Sequence, residues 1–173
     1  MEIQTKEKAL ETVIENGLNL EKVNEDFKCD KLIVIHAVRE NGLALEYACE
    51  KLKSDMVVVI EAIEQTALAL KFAGPQFKND KELAFNAVSR NGKVFKYVGD
   101  SLKVDREVVI RALKSDWKNI ELINESLKND AEIAKIFLYD YISDCVSLFN
   151  YLGSKIKNNK EFLLNALSMY MAF

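Results

Sequence analysis

The chain has 173 residues, a formal net charge of −3 and an isoelectric point of about 5.4. This acidity argues against a general nucleic-acid binder, because such proteins normally carry a basic surface. No stretch approaches the roughly 18 consecutive apolar residues of a membrane-spanning helix, and the first residues lack the pattern of a secretion signal. Cys29, Cys49 and Cys145 are an odd number without close spacing, so we expect reduced thiols in a cytoplasmic protein without membrane contact.

A unit of 25 residues repeats along the chain. Aspartates recur at this interval, at Asp30, Asp55, Asp80, Asp105 and Asp130. Thr5 takes the place of the aspartate in a preceding copy, and Asn159 takes it after a longer interval of 29 residues. A fixed period of this kind indicates a repeat array. The predicted units are 5–29, 30–54, 55–79, 80–104, 105–129 and 130–158, followed by a terminal helix at 159–173.

Each unit predicts two helices joined by a turn. Positions are counted from the aspartate, which is position 0 and can cap the first helix by accepting hydrogen bonds from free N–H groups. Apolar residues then recur at helical spacing, as in Leu83, Ala87 and Val88. The pair Asn91-Gly92 at positions 11 and 12 predicts the end of this first helix, with glycine in the left-handed conformation. A second, shorter helix follows.

One unit has too few large apolar residues to offset the backbone entropy that it loses on folding, so the units must stack on one another. The sequence therefore predicts an all-α fold in a single domain spanning 1–173. We expect an α-solenoid, or α-α superhelix, of about six 25-residue helix-turn-helix repeats plus the terminal helix. Four additional residues in the sixth unit predict that its first helix extends through Tyr139 to Cys145.

Two sequence motifs resemble a known family. The first is Asp-x-Glu-Val-Val-x-x-Ala at 105–112, and the second is Asn-Gly followed by apolar-x-Tyr-Ala at 41–48. Together they resemble the repeat of the family catalogued as domain of unknown function 4116, over roughly residues 5 to 130, with a weaker copy to 173. The resemblance implies a helical array and no established activity. Thr66-Ala67 and Asp116-Trp117 depart from Asn-Gly, so the turn is not predicted in those two units.

The sequence contains no phosphate-binding glycine loop and no nucleophile motif. We therefore predict no cofactor, no metal and no enzymatic activity. Cys29, His36 and Cys49 fall within about one unit, but they come from a loop and two helices and lack metal-ligand spacing. Asp140 and Asp144 share a helix face, and an unrecognised enzymatic site beside them is the weakest alternative.

A lysine occupies position 23 of every unit: Lys28, Lys53, Lys78, Lys103, Lys128 and Lys157. In a stack these side chains form a row that an acidic ligand could bind. The structural alternative is favoured, since a cation just past a helix compensates the exposed carbonyl groups there. The sequence does not decide whether the row is functional.

Variation between units indicates a binding surface. Positions 2, 6, 9 and 10 of the first helix lie opposite the apolar stripe, at about 100° per residue, and they differ most among the copies. The first half of this face is mainly acidic and the second half basic. The predicted partner-binding residues are Leu32, His36, Glu40, Val57, Glu61, Glu64, Asn86, Arg90, Arg111 and Lys114.

The terminal helix has only a narrow polar stripe, although the last helix of a solenoid normally turns a polar face to water. It either packs onto the preceding helix or forms a homodimer contact. The residues predicted for self-association are Met169, Tyr170, Met171 and Phe173.

These patterns predict a non-catalytic protein–protein interaction module, which binds a protein or peptide along the variable face of the first helices. A stoichiometric inhibitor of an enzyme such as a nuclease, encoded by a phage or mobile element, is the alternative. The compact size and the acidity of the chain would suit an inhibitor. However, the lysine row, Arg90 and Arg111 do not resemble a nucleic-acid mimic.

Overall fold

The computed structural model describes residues 5–140 and 149–170, and its first five units share one plan. Each begins with a ten-residue α-helix, called here the first helix, and continues with a six-residue 3₁₀ helix and a short helical turn. In chain order the helices are α1 Lys6–Glu15, η1 Gly17–Lys22, α2 Glu25–Lys28, α3 Lys31–Glu40, η2 Gly42–Tyr47, α4 Glu50–Lys53, α5 Met56–Gln65, η3 Ala67–Phe72, α6 Pro75–Lys78, α7 Lys81–Arg90, η4 Gly92–Tyr97, η5 Leu102–Val104, α8 Arg106–Ser115, η6 Trp117–Leu122, α9 Glu125–Lys128, α10 Ala131–Asp140, α11 Ser154–Lys157 and α12 Lys160–Tyr170. The predicted all-α fold is confirmed.

The second element of the first five units differs from the prediction. It is a 3₁₀ helix, and a further helical turn such as α4 follows it. A 3₁₀ helix has three residues per turn, so side chains three apart share one side. Gly42, Leu45 and Ala48 are all buried, and they direct that side of η2 toward α3 and α5.

The predicted aspartate caps are present. Asp55 Oδ1 accepts hydrogen bonds from the backbone N–H groups of Val57 and Val58 at 3.0 and 3.2 Å. At the other end of the first helices, Asn41 is extended, and its side chain caps η2 by accepting from Leu43 N at 3.0 Å. One residue therefore ends one helix and begins the next.

The predicted left-handed glycine was wrong. Among the described residues no glycine has a positive φ. Gly17 and Gly42 are instead required by a close approach between units, since a Cβ on either would overlap the carbonyl oxygen of Ala37 or Ala62, respectively. The absence of a side chain lets the 3₁₀ helix touch the first helix of the next unit.

Backbone hydrogen bonds also join successive units in the short-helix layer. The N–H at position 19 donates to the carbonyl at position 23 of the preceding unit, in the pairs Cys49–Lys28 at 3.0 Å, Gly74–Lys53 at 2.8 Å, Gly99–Lys78 at 2.8 Å and Gly153–Lys128 at 2.9 Å. The lysine side chains at position 23 are partly neutralised within their own units. Those of Lys28, Lys53 and Lys103 pair with an acidic residue three positions earlier.

Ion pairs connect the N-terminal ends of successive first helices. A cation at position 1 contacts the capping aspartate of the next unit, with N–O distances of 2.6 Å for Lys6–Asp30, 2.8 Å for Lys31–Asp55, 3.0 Å for Lys81–Asp105 and 3.0 Å for Arg106–Asp130. The Lys31 ammonium group holds the pKa of Asp55 below its ordinary value, with help from backbone N–H donors against partial burial. These inter-unit ion pairs form a series along one edge of the stack.

Replacement of Lys31 by Met should lower the free energy of unfolding at neutral pH by less than about 1 kcal/mol, because the pair is partly exposed. Since the pKa of folded Asp55 is depressed, this contribution is present above the unfolded carboxyl pKa of about 3.9 and disappears as pH falls through the lower folded value. Urea unfolding between about pH 7 and pH 3 measures it. Lys51→Met, at an exposed site, is the control. An equal effect of Lys31→Met at both pH values would contradict the assignment.

Gly42→Ala should destabilise the protein by roughly 1–3 kcal/mol, because the added methyl group forces apart two backbones that are packed together. Gly99→Ala is the comparison, since its Cβ would meet a side chain and not backbone, and the Asn79 side chain can move at the cost of its exposed hydrogen bonds with Pro75 and Ser101. Urea unfolding of both variants tests this. Equal stability of the two would show that the close approach at Gly42 is not needed for stacking.

Candidate functional site

The boundary between the third and fourth units breaks the series of inter-unit ion pairs. Position 1 of the third unit is Met56, whose side chain is 63% exposed. Within residues 5–140 and 149–170, no cation is paired with the Asp80 carboxylate, which still caps α7 by accepting from Leu83 N at 2.9 Å. Asp80 is exposed, and so is Glu82 on the first turn of α7.

A second substitution occurs at the same boundary. Ala67 stands at position 12, where Gly17 and Gly42 allow close contact in earlier units. Here α5 and α7 pack against each other far less closely than α3 with α5 or α7 with α8. Ala67 stands at this boundary but does not line the space between α5 and α7.

A groove of about 340 Å³ lies between α5 and α7. Its apolar lining comes from three helices and consists of Met56, Ile60, Ile63, Phe77 and Leu83. Ile63 and Phe77 are buried at 3% and 7% exposure and form the base, whereas Ile60 is 37% exposed on the wall. The groove therefore offers an apolar base that solvent reaches from one side.

Polar residues line the groove at Glu64, Asp80, Glu82, Asn86 and Arg90. The guanidinium group of Arg90 donates to the carbonyl oxygens of Ile63 at 2.7 Å and Glu64 at 2.5 Å. This places a cation at the C-terminal end of α5, where the helix dipole favours positive charge. Arg90 thus connects α7 to α5 at one end of the groove, and within the described part of the chain no ion pair joins these helices at the end beside Met56 and Asp80.

An exposed apolar strip continues from the groove across the first helices. Val57 and Leu32 occupy position 2 of adjacent units and are each 49% exposed. On α5, positions 1, 2 and 5 fall within an arc of about 100°, so Met56, Val57 and Ile60 share one face. The strip formed by Leu32, Val57, Met56 and Ile60 leads into the groove.

The predicted partner-binding residues fall into different environments. Leu32, Val57, Glu64, Asn86 and Arg90 lie in the groove or on the strip, His36 and Glu40 lie on α3, Glu61 lies on α5, and Arg111 and Lys114 lie on α8. Glu61 accepts from Arg39 Nε at 2.9 Å, and Arg111 Nε donates to Ser89 Oγ at 2.6 Å. These two variable residues connect neighbouring units. Partner binding by these ten residues stays a prediction.

Sequence reasoning missed seven groove residues: Met56, Ile60, Ile63, Phe77, Asp80, Glu82 and Leu83. The signal for Met56 was its contrast with the lysine or arginine at position 1 of neighbouring units, and Ala67 contrasts with glycine in the same way. Asp80 was identified as a cap. That it lacks the lysine or arginine found beside other capping aspartates can be seen only from Met56, 24 positions earlier.

The expectation of unpaired thiols was wrong for two cysteines. Cys29 ends α2 and Cys49 precedes α4, and the backbone hydrogen bond from Cys49 N to Lys28 O brings these segments together. Their sulfur atoms form a disulfide, with a Cα–Cα distance of 5.3 Å. Across the described residues, no three His, Cys, Asp or Glu side chains gather as metal ligands.

Several predicted features cannot be placed. Asp144 and the helix extension to Cys145 lie outside the described residues, as do Met171 and Phe173, and the side chains of Asp140, Met169 and Tyr170 also lie outside the description. Within the described part of the chain, no helix has the length and apolar character needed to cross a membrane.

A stack of short helices joined by backbone contacts and inter-unit ion pairs defines the chain as a helical-repeat protein. The model of the family described as Domain of unknown function (DUF4116) matches residues 5–53, 58–103 and 105–141. The chain belongs to this family, and the resemblance stated from the sequence is confirmed. No curated protein and no solved structure matches the chain.

Met56→Lys should restore the ion pair and raise the free energy of unfolding at neutral pH by up to about 1 kcal/mol. The new ammonium group would reach Asp80 and Glu82, as Lys81 reaches Asp105 and Glu107. Met56→Gln, of similar length but uncharged, is the control. The difference between these variants in urea unfolding should disappear in about 1 M NaCl, where charges are screened within roughly 3 Å. A salt-independent difference would contradict the ion-pair explanation.

Proposed function

We propose that this protein is a non-catalytic interaction module that binds a segment of another protein in the groove between α5 and α7. The observation that carries the proposal is the groove itself, where a buried apolar base lies beside exposed apolar walls and a polar rim. Binding sites for amphipathic segments combine these features, because burial supplies affinity and polar groups fix orientation. The volume of about 340 Å³ accommodates a few large side chains.

Apolar side chains of the partner would displace water from Met56, Ile60 and Leu83. Burying such surfaces on both sides is the main favourable contribution to association. A side chain that reaches Phe77 and Ile63 at the base would be fully desolvated, which is the environment of energetically dominant interface residues. The strip continuing to Leu32 and Val57 would extend the contact beyond the groove.

The proposed surface is narrower than the whole variable face of the first helices. Glu61 and Arg111 are held by Arg39 and Ser89 in neighbouring units, so a partner would have to replace existing bonds to use them. The groove requires no such exchange at Met56 or Ile60. This contrast favours the boundary of the third and fourth units over the remainder of the face.

A cytoplasmic location, inferred from the sequence, belongs to the same proposal. In a reducing compartment we expect the Cys29–Cys49 disulfide to be opened. Fractionation of cells that express the protein, with thiol alkylation before lysis, measures both properties.

Ile60→Glu should abolish partner binding, because it places a charge on the wall of the groove. Ile14→Glu is the matched control, since Ile14 is 55% exposed on another first helix, α1. Wild type and both variants are used as tagged baits in lysate of the native host, and candidate partners are then purified and titrated calorimetrically. The expected partner binds wild type and Ile14→Glu but loses at least about tenfold in affinity for Ile60→Glu. Equal binding to all three proteins would place the interaction elsewhere.

A further inference from the structure

The carboxylates of Asp80 and Glu82 line the end of the groove beside Met56. At two later boundaries, the equivalent two carboxylates bind one cationic side chain. Lys81 Nζ contacts Asp105 at 3.0 Å and Glu107 at 2.8 Å. At the next boundary, Arg106 contacts both Asp130 and Glu132. In each case one cationic side chain bridges the aspartate at position 0 and the glutamate at position 2.

At the third boundary, no cation among the described residues pairs with the same two carboxylates. Met56 occupies the place of Lys81 and Arg106, and within the described residues neither Asp80 nor Glu82 has an ion pair. The second and third units carry Leu32 and Val57 at position 2, and the first unit carries Thr5 at position 0, so none of these units forms the pair. Asp80 and Glu82 therefore have the arrangement that binds a cation at the next two boundaries. The residue that would supply the cation is the uncharged Met56.

This carboxylate pair is continuous with the apolar groove. Asp80, Glu82, Met56 and Leu83 all line the same space. The remaining charges there do not neutralise the pair, because Glu64 is acidic and the guanidinium of Arg90 bonds the carbonyl groups at the end of α5. The groove is therefore acidic at its open end and apolar at its base.

Resting on the proposed function, we infer that the occupant is a protein segment carrying a lysine or arginine next to one or two large apolar side chains. The cation bridges Asp80 and Glu82 as Lys81 bridges its two carboxylates. The apolar side chains enter between Met56 and Leu83. Electrostatic complementarity fixes the register of the segment, and burial of its apolar residues holds it.

The test begins with a randomised twelve-residue peptide library displayed on phage and selected against the full chain. Selected peptides should contain Lys or Arg beside Leu, Ile, Met or Phe. Their synthetic forms are titrated calorimetrically against wild type and Asp80→Asn/Glu82→Gln, in which asparagine keeps the helix cap. We expect a loss of about ten- to a hundredfold in affinity, the range for a charge-assisted hydrogen bond.

Matched variants separate the charge effect from general effects. Glu7→Gln/Glu15→Gln removes the same charge from α1 and should bind like wild type. Met56→Lys should lose affinity because the new cation competes, whereas Met56→Gln should bind more tightly than Met56→Lys. Replacing the peptide lysine or arginine by glutamine should weaken binding to wild type but not to Asp80→Asn/Glu82→Gln. Circular dichroism establishes folding, and the single variants Asp80→Asn and Glu82→Gln replace the double variant if it unfolds.

The outcomes distinguish the two levels of the proposal. Peptides that lose affinity for Ile60→Glu but bind Asp80→Asn/Glu82→Gln normally would overturn the cation inference and leave the groove as a binding site. Selection of acidic or purely apolar peptides that depend on Ile60 would do the same. Failure to select any peptide whose binding depends on Ile60 would overturn the proposed function itself, together with this inference.

Discussion

The first three units stack through a close backbone approach at position 12. Gly17 and Gly42 bring η1 and η2 against the carbonyl oxygens of Ala37 and Ala62, where a Cβ would overlap. Units in a repeat array contact mainly their neighbours, so the distance at each boundary governs how well both units bury their apolar residues. The inter-unit ion pairs act across the same boundaries, but exposed pairs of this kind contribute little stability individually.

The third boundary departs from this arrangement at two positions of one unit. Met56 removes a cation, and Ala67 adds a methyl group where a close approach is made elsewhere. The apolar surfaces of Ile60 and Leu83 line a groove between α5 and α7 at this boundary. Functional sites commonly lie where a protein departs from its own structural rules. Met56 lines this space, which is why the groove, and not the repeat unit, is the centre of the functional proposal.

Much of the fold was predictable because capping and apolar periodicity are local properties. Asp55 caps α5 as expected, and the 25-residue period located every first helix. The 3₁₀ helices were missed because the period-three pattern of Gly42, Leu45 and Ala48 covers only two turns. The role of Gly42 was misassigned for a related reason. Asn-Gly has the same sequence whether glycine adopts a left-handed conformation or allows a neighbour to approach, and that neighbour is 20 or more residues away.

The sequence by itself determined the repeat, its first helices, the family and the positions at which units differ. The tertiary structure decided which differences create a surface. Glu61 and Arg111 vary as binding residues would, yet each connects two units. The effect of Met56 is seen only beside Asp80, 24 residues later, where other units place a cation next to the capping aspartate. A local pattern fixes the conformation of one unit, but a groove between units depends on side chains that meet only after the units have stacked.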